Sequence, residues 1–409
     1  MSDRIDQGAG NRLGKAGTAP PRAASVPPVQ LIVASGPARL SKENVVIALS
    51  LLVALLIVDQ IPIKPGHTGL IRRVGIMIAQ MHNGSLNADD YHAMAANYYE
   101  GIEQFDRISQ DNVENADYHL RPDFLRYENN PHINRPYAAG MRTFNSFGMQ
   151  NPEYPLLKPP HIRRIAVLGD SISLGPAGHD YVTLLEDKLN QVALTPGKTD
   201  GFQLLSFAVS GYVLLQEMDV ALEKVSKFQP DVYVVALTSR EIDGSRKHLA
   251  KLVVRGTDLK YEYLRQVVRQ AGVKPTDHVN TIVLKLGPYF QSMTTWALEQ
   301  IKKHAEAEGA QMIVVLLAAP FEYSVTSQDF DNLHQSVDGL GVPVIDLRET
   351  FHGVNLPDVE VAPGSDIHPN ALGHKMIFDT LYSRLQAQPE AWHVLAGDDA
   401  PVPDGTPRR

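Results

Sequence analysis

A serine, a histidine and an aspartate of this chain stand where they could carry out acyl transfer. Ser171 directly follows an apolar stretch that ends in Gly169-Asp170, and Asp366 and His368 lie together in a late segment. Acyl transfer by serine requires a base for the hydroxyl proton, a carboxylate that orients the base, and backbone donors for the oxyanion. We therefore predict Ser171 as the nucleophile, His368 as the base and Asp366 as the carboxylate that orients it.

The backbone donors are expected in two loops. Gly211 lies in the run Val209-Ser210-Gly211-Tyr212, and its amide and that of Ser171 are the candidate oxyanion donors. Glycine suits position 211 because a side chain there would crowd the substrate carbonyl. Asp170 and Ser171 also have a purely structural interpretation, since such residues often cap a following helix. The tripeptide alone does not separate the two interpretations.

The remaining composition excludes several other functions. The chain has no cysteine, which rules out disulfides and thiolate nucleophiles. Histidine, aspartate and glutamate do not cluster at metal-ligand spacing, and no glycine-rich phosphate loop follows a strand, so we predict no metal and no cofactor. His161, His179 and His374 are interpreted as surface or packing residues. With a net charge of -8 and no basic stripe, nucleic-acid binding is not expected.

The elements that must position these residues alternate between strands and helices. This alternation predicts an α/β fold, a three-layer α/β/α sandwich with a mainly parallel sheet. Ser171 would lie at the carboxyl end of a buried strand, the edge where open α/β sheets bind ligands. Strands are expected at 165–168, 202–209, 231–237, 311–318 and 342–347, and helices at 181–191, 212–227, 245–308, 327–337 and 370–387.

Taken together, these motifs resemble those of the SGNH, or GDSL, hydrolase superfamily. The Gly-Asp-Ser block, the strand-to-glycine block at Gly211, and the late His368-Pro-Asn-x-x-Gly-His374 block occur in the family's order. The similarity covers residues 118–387, and 142–148 is similar to the lead-in of bacterial, membrane-associated members. The resemblance implies an SGNH or flavodoxin-like sandwich and a serine esterase or acyltransferase.

Two positions depart from the family pattern. Most of these hydrolases carry a Gly-x-Asn-Asp block whose asparagine donates to the oxyanion, whereas Arg240 holds that position here. Arg240 could still donate, or it could pair with Glu241 or Asp243. The family's usual acid lies three residues before the histidine, at Ser365, whereas Asp366 lies two before it. This Asp-x-His pair resembles the arrangement in polysaccharide O-acetyltransferases of the alginate-modifying branch.

The N-terminal part contains one strongly apolar run, Val45 to Val58, which follows a basic tail. We predict a single transmembrane helix that acts as a signal anchor, with the tail in the cytoplasm and the catalytic domain outside, at the inner membrane. A cleaved signal or a buried helix are the alternatives. The predicted division is a disordered tail (1–43), the anchor (44–63), a helical linker or accessory region (64–117), the hydrolase-like domain (118–388) and a disordered C-terminal tail (389–409).

Three functions follow from the motifs and the resemblance. The first is a membrane-anchored serine ester hydrolase that acts on acyl, above all acetyl, esters of a cell-surface glycan. The second is an O-acetyltransferase of an extracytoplasmic polysaccharide, in which a sugar hydroxyl replaces water. It requires a multi-span membrane partner, because one apolar segment cannot carry an acyl donor across a membrane. The third is a catalytically weak glycan-binding or assembly component, which the missing Gly-x-Asn-Asp block suggests.

Overall fold

The computed structural model describes residues 117–320, 327–363 and 366–402. The predicted tail (1–43) and anchor (44–63), and all but the last residue of the predicted linker (64–117), lie outside these residues. Within the described ranges, no helix is both long enough and apolar enough to span a bilayer.

The described chain alternates between strands and helices over most of its length. The strands are β1 (Tyr118–Leu120), β2 (Tyr127–Asn129), β3 (Asn134–Tyr137), β4 (Gly140–Thr143), β5 (Ile162–Leu168), β6 (Gly201–Ser206), β7 (Val232–Leu237), β8 (Gln311–Leu316), β9 (Val344–Asp346), β10 (Glu360–Ala362) and β11 (Asp366–Pro369). The α-helices are α1 (Ser171–Leu174), α2 (Tyr181–Val192), α3 (Leu214–Glu223), α4 (Glu241–Arg255), α5 (Glu262–Gln270), α6 (Val279–Leu286), α7 (Phe290–Ala307), α8 (Ser327–Val337), α9 (Ala371–Ala387) and α10 (Pro389–Ala396). Short 3-10 turns lie at Val225–Phe228, Gly287–Tyr289 and Leu356–Asp358.

A parallel sheet of five strands, in the order β6-β5-β7-β8-β9, forms the centre of the fold. Ile165 of β5 lies opposite Leu204 on one side and Val232 on the other. These strands are almost continuous apolar runs because helices bury both faces of the sheet. The expected α/β fold is confirmed.

Two groups of helices cover the sheet. Helix α9 packs against both α2 and α10, and α3, α4, α7 and α8 form a second group. The three pairs β1–β2, β3–β4 and β10–β11 form separate antiparallel hairpins.

The long helical region predicted at 245–308 is four helices rather than one. Gly256 ends α4 in the left-handed conformation, with φ of 66°, which an L-residue rarely adopts. Gly272 follows α5 with φ of 62°. The segment Gly287–Tyr289 then forms a 3-10 turn before α7. The region is helical, as the apolar pattern predicts, but glycines divide it into shorter helices.

The disorder predicted from residue 389 onward is wrong for the first part of that segment. Pro389 stands in the first turn of α10, where a missing N–H costs nothing. Trp392 and Leu395 are buried on the inner face of this helix, and Arg163 of β5 donates to the Leu395 carbonyl over 2.8 Å. The proline and aspartate content of the segment obscured this amphipathic turn.

Replacement of Trp392 by alanine tests whether α10 belongs to the core. Because the indole is fully buried, we expect the free energy of unfolding to fall by about 3–5 kcal/mol in urea titrations. The matched control is Leu157→Ala, whose side chain is 73% exposed, and it should change stability by less than about 0.5 kcal/mol. Equal, small effects of both substitutions would contradict the packing of α10.

Candidate active site

Ser171 lies directly beyond the carboxyl end of the central strand β5. The Oδ1 of Asp170 accepts a hydrogen bond from the Ile172 amide over 2.8 Å, so Asp170 is the N-cap of α1. Gly169 permits the sharp turn, because a Cβ there would lie 2.5 Å from the Ser173 Oγ. The capping interpretation of Asp170 is therefore confirmed, while the Ser171 hydroxyl is directed elsewhere.

The three residues predicted to act together are joined by hydrogen bonds. The Nε2 of His368 lies 2.8 Å from the Oγ of Ser171, and its Nδ1 lies 2.8 Å from the Oδ1 of Asp366. The His368 backbone N–H also donates to the same Asp366 oxygen over 3.2 Å. Ser171 and His368 are both buried, which removes competing water from the hydroxyl–imidazole contact.

Most residues of the late motif around His368 have structural roles. Asn370 caps α9 by accepting from the Leu372 and Gly373 amides, and its amide donates to the Asp358 and Glu360 carbonyls. Gly373 is required because a Cβ would lie 2.7 Å from the Val359 carbonyl. This packing fixes β11, and with it the imidazole, against the end of β5.

The charge state of Asp366 suits the orientation of a histidine. Burial alone would raise the pKa of Asp366, but the hydrogen bond and charge of the His368 ring, the His368 amide and the charge of Arg142 outweigh it. The pKa is therefore lowered and the carboxylate is ionised. An ionised carboxylate at Nδ1 holds that nitrogen protonated and leaves Nε2 free to accept a proton.

The loop that carries Gly211 is braced by the β1–β2 hairpin. The Tyr127 hydroxyl donates to the Ser210 carbonyl over 2.8 Å, the Asn129 amide donates to Ala208, and the Tyr212 hydroxyl donates to the Tyr127 carbonyl. Gly211 has φ of 78°, so glycine is needed for the backbone itself. Within the described residues, the Ser171 and Gly211 amides donate to no protein group.

Arg240 forms an ion pair with Asp170, a partner that was not expected from the sequence. Its Nη1 lies 3.6 Å from the Asp170 Oδ2, whereas Glu241 accepts from the Leu214 amide and Asp243 pairs with Arg246. The guanidinium therefore stands beside the residue that precedes the nucleophile. Its donation to an oxyanion stays a prediction.

Two buried glutamates next to this pair were missed by the sequence analysis. Glu217 of α3 and Glu241 of α4 are each 1% exposed. Burial raises the pKa of Glu217 well above its ordinary value and that of Glu241 to about 8, and the nearby Asp170 adds to both increases. No described residue hydrogen-bonds to the Glu217 carboxyl. Their sequence signal was weak, since glutamate in a first helical turn normally faces water.

The other histidines fall into two groups. His161 and His179 are exposed, as interpreted. His374 is fully buried and its ring stacks on Tyr181, with ring centroids 6.2 Å apart. Burial lowers the pKa of His374 to about 3, so it packs as a neutral ring. Among the described residues, no group of three histidine, aspartate or glutamate side chains could hold a metal ion.

Comparison with known proteins gives structural similarity only. No protein-family profile and no curated protein matches the chain by sequence. Solved structures that it resembles include a psychrotrophic esterase, EstA, from Pseudoalteromonas, at 15% identity and a TM-score of 0.34, covering 55% of this chain and 97% of the esterase. A two-domain esterase active on acetylated mannans is 13% identical, with a TM-score of 0.37 and coverages of 61% and 52%. An acetylxylan esterase from Geobacillus stearothermophilus is 14% identical, with a TM-score of 0.35 and coverages of 54% and 93%.

The buried glutamates predict how stability depends on pH. A carboxyl with a raised pKa in the folded state contributes stability that is complete below the unfolded value of about 4.3 and lost as pH rises toward the folded value. We therefore expect Glu217→Gln to stabilise the protein at pH 7 relative to its effect at pH 4, measured by urea unfolding.

The matched control for this experiment is Glu223→Gln, at the other end of α3. Hydrogen bonding to Lys260 lowers the pKa of the exposed Glu223, so this substitution should not stabilise the protein at pH 7. If the free energy of unfolding of Glu217→Gln depends on pH between 4 and 8 in the same way as that of the wild type, then Glu217 is not held neutral by burial.

Proposed function

We propose that the chain is an SGNH-type serine ester hydrolase that acts through an acyl-enzyme on Ser171. The observation that carries this proposal is the continuous pair of hydrogen bonds, each 2.8 Å long, from Ser171 through His368 to Asp366. A hydroxyl, an imidazole and an ionised carboxylate in this order are the groups that nucleophilic catalysis by serine requires.

In the first half-reaction, the Ser171 oxygen attacks the ester carbonyl while His368 takes the hydroxyl proton at Nε2. Asp366 holds the Nδ1 proton and stabilises the imidazolium that forms. The negative charge on the carbonyl oxygen is met by the unused amides of Ser171 and Gly211. Collapse of the tetrahedral intermediate breaks the ester bond, and His368 gives its proton to the leaving alcohol.

In the second half-reaction, a water molecule takes the place of the alcohol. His368 removes a proton from this water, which attacks the acyl carbon on Ser171. The intermediate collapses, the proton returns to the Ser171 oxygen, and a carboxylic acid leaves. An acceptor alcohol in place of water would yield a new ester by the same steps, which is the transferase alternative.

The cellular setting belongs to the same proposal. The apolar segment 44–63 supports a membrane anchor with the catalytic domain outside the cytoplasm, at the inner membrane. The resemblance of the motifs to carbohydrate-modifying members supports an acylated cell-surface glycan as the substrate. The transferase alternative adds a multi-span membrane protein as the acyl donor.

Release of p-nitrophenol from p-nitrophenyl acetate by the purified full-length chain tests the proposal. Ser171→Ala and His368→Ala should each lower kcat by roughly 10³-fold or more, because each removes a member of one catalytic unit. Asp366→Asn should lower kcat by about 10²–10⁴-fold, because it leaves the imidazole in the wrong tautomer.

The matched control is Ser173→Ala, which removes a second hydroxyl from α1. The Ser173 hydroxyl bonds to the Tyr181 hydroxyl over 2.7 Å, so it is not part of the Ser171–His368–Asp366 series and this variant should retain the wild-type kcat. If the wild type is no faster than Ser171→Ala, the hydrolase proposal fails, and the glycan-binding or assembly function takes its place.

A further inference from the structure

The β3–β4 hairpin lies against the loop that follows the nucleophile. The Met141 carbonyl accepts a hydrogen bond of 3.0 Å from Ala177, a few residues beyond α1. Phe144, which follows β4, packs with Leu174 of α1 and with Ala208 of the loop before Gly211. Residues of β4 therefore lie at the rim of the candidate active site.

The guanidinium of Arg142, in β4, is held by aromatic rings. It lies 4.3 Å from the centroid of the Tyr137 ring and 5.9 Å from that of Phe144. Such contacts attract the cation to the ring face, and they fix the plane of the guanidinium without using its N–H groups. The hydrogen-bonding edge of Arg142 is thus oriented but not occupied by these contacts.

The Nε and Nη1 of Arg142 are buried and have no hydrogen-bond partner among the described residues. An arginine remains charged at any physiological pH, and buried donors without acceptors are costly. Arg135, its cross-strand neighbour in the same hairpin, is instead neutralised by Asp117 over 2.8 Å. The two arginines of one strand pair are therefore in opposite situations, and only Arg142 lacks an anion.

Asp366, the carboxylate of the triad, is already engaged. The charge of Arg142 contributes to lowering the pKa of Asp366 and of His374. The ion pair of Asp366, however, is with His368 over 2.8 Å, and within the described chain none joins it to Arg142. Arg142 is thus a cation without a direct ion pair in the described chain, beside the catalytic triad.

We propose that Arg142 binds a carboxylate carried by the ester substrate. A guanidinium presents paired N–H groups that match the two oxygens of a carboxylate, which makes this pairing both strong and directional. The inference rests on the proposed ester hydrolysis and narrows its substrate class to acyl esters of acids, such as an acylated sugar acid or hydroxy acid. Arg142 would hold the carboxylate while Ser171 attacks the acyl group.

Two model esters that differ in one charge test this assignment. We would compare hydrolysis of 4-acetoxybenzoate and of its neutral methyl ester by the wild type, Arg142→Gln and the matched control Arg135→Gln. Arg142→Gln should lower kcat/KM for the anionic ester by roughly tenfold or more, mainly through KM, while kcat/KM for the neutral ester changes by less than about threefold. Arg135→Gln should leave the ratio of kcat/KM for the anionic ester to kcat/KM for the neutral ester unchanged.

Equal losses on both esters would overturn the proposal and make Arg142 a positioning residue for Asp366. The proposal would also be overturned if Arg142→Gln kept the wild-type preference for the anionic ester over the neutral one. Repeating the comparison with acetylated glucuronate and acetylated glucose distinguishes a sugar acid from other acids, since the Arg142-dependent preference would be larger for the sugar pair.

A binding measurement separates this proposal from the hydrolase proposal. In the Ser171→Ala background, calorimetry should detect tighter binding of 4-acetoxybenzoate than of its methyl ester, and Arg142→Gln should abolish the difference. This result would support the carboxylate site even if the wild type hydrolysed neither ester. Equal affinities for the two esters in the Ser171→Ala protein would overturn the site, whatever the outcome of the hydrolysis assay.

Discussion

The hydrogen bond between Ser171 and His368 is the contact on which the functional organisation of the chain depends. It joins residues 197 positions apart over 2.8 Å, so any displacement of either end would abolish it. One end is fixed by β5, which has parallel neighbours on both sides, and by the N-cap of Asp170. The other is fixed by the β10–β11 hairpin and the cap at Asn370. Both anchors use backbone hydrogen bonds and close packing, which tolerate little movement.

Several ionisable side chains near this contact are buried. Asp366 is ionised by its bond to His368, whereas Glu217 and Glu241 are held toward the neutral form by burial. Arg240 lies beside Asp170, behind the nucleophile, and Arg142 lies on the side of Asp366. Carboxyl groups with opposite pKa shifts within one site are typical of places where proton transfer is organised. The apolar sheet and its helices make this possible by excluding solvent.

Much of this arrangement could be predicted from residue types and order. The apolar strands, their alternation with helices and the pairing of Ser171 with His368 and Asp366 follow from periodicity and from the requirements of acyl transfer. The helix that buries Trp392 could not be predicted in this way, because it depends on packing that local composition does not reveal. The break at Gly256 does have a local signal, a glycine in the left-handed conformation at the end of α4, but the apolar pattern continues across it.

The buried charged and ionisable side chains could not be predicted because they depend on tertiary contacts. The pairing of Arg240 with Asp170, and the burial of Glu217, arise when loops distant in sequence meet above the sheet. A charged residue in isolation is normally read as part of a solvated surface. Only the folded chain shows that these side chains converge on the residue before the nucleophile. The same holds for Arg142, whose sequence neighbours give no sign of the triad beside it.

Covalent labelling of the nucleophile would show whether His368 activates Ser171. The full-length chain would be treated with diethyl p-nitrophenyl phosphate, which phosphorylates a serine only when a neighbouring base activates it. The modified residue would then be identified by peptide mass spectrometry. We expect a single adduct on Ser171 that is absent from the His368→Ala variant. Labelling of a different serine, or no labelling of the folded wild-type protein, would contradict it.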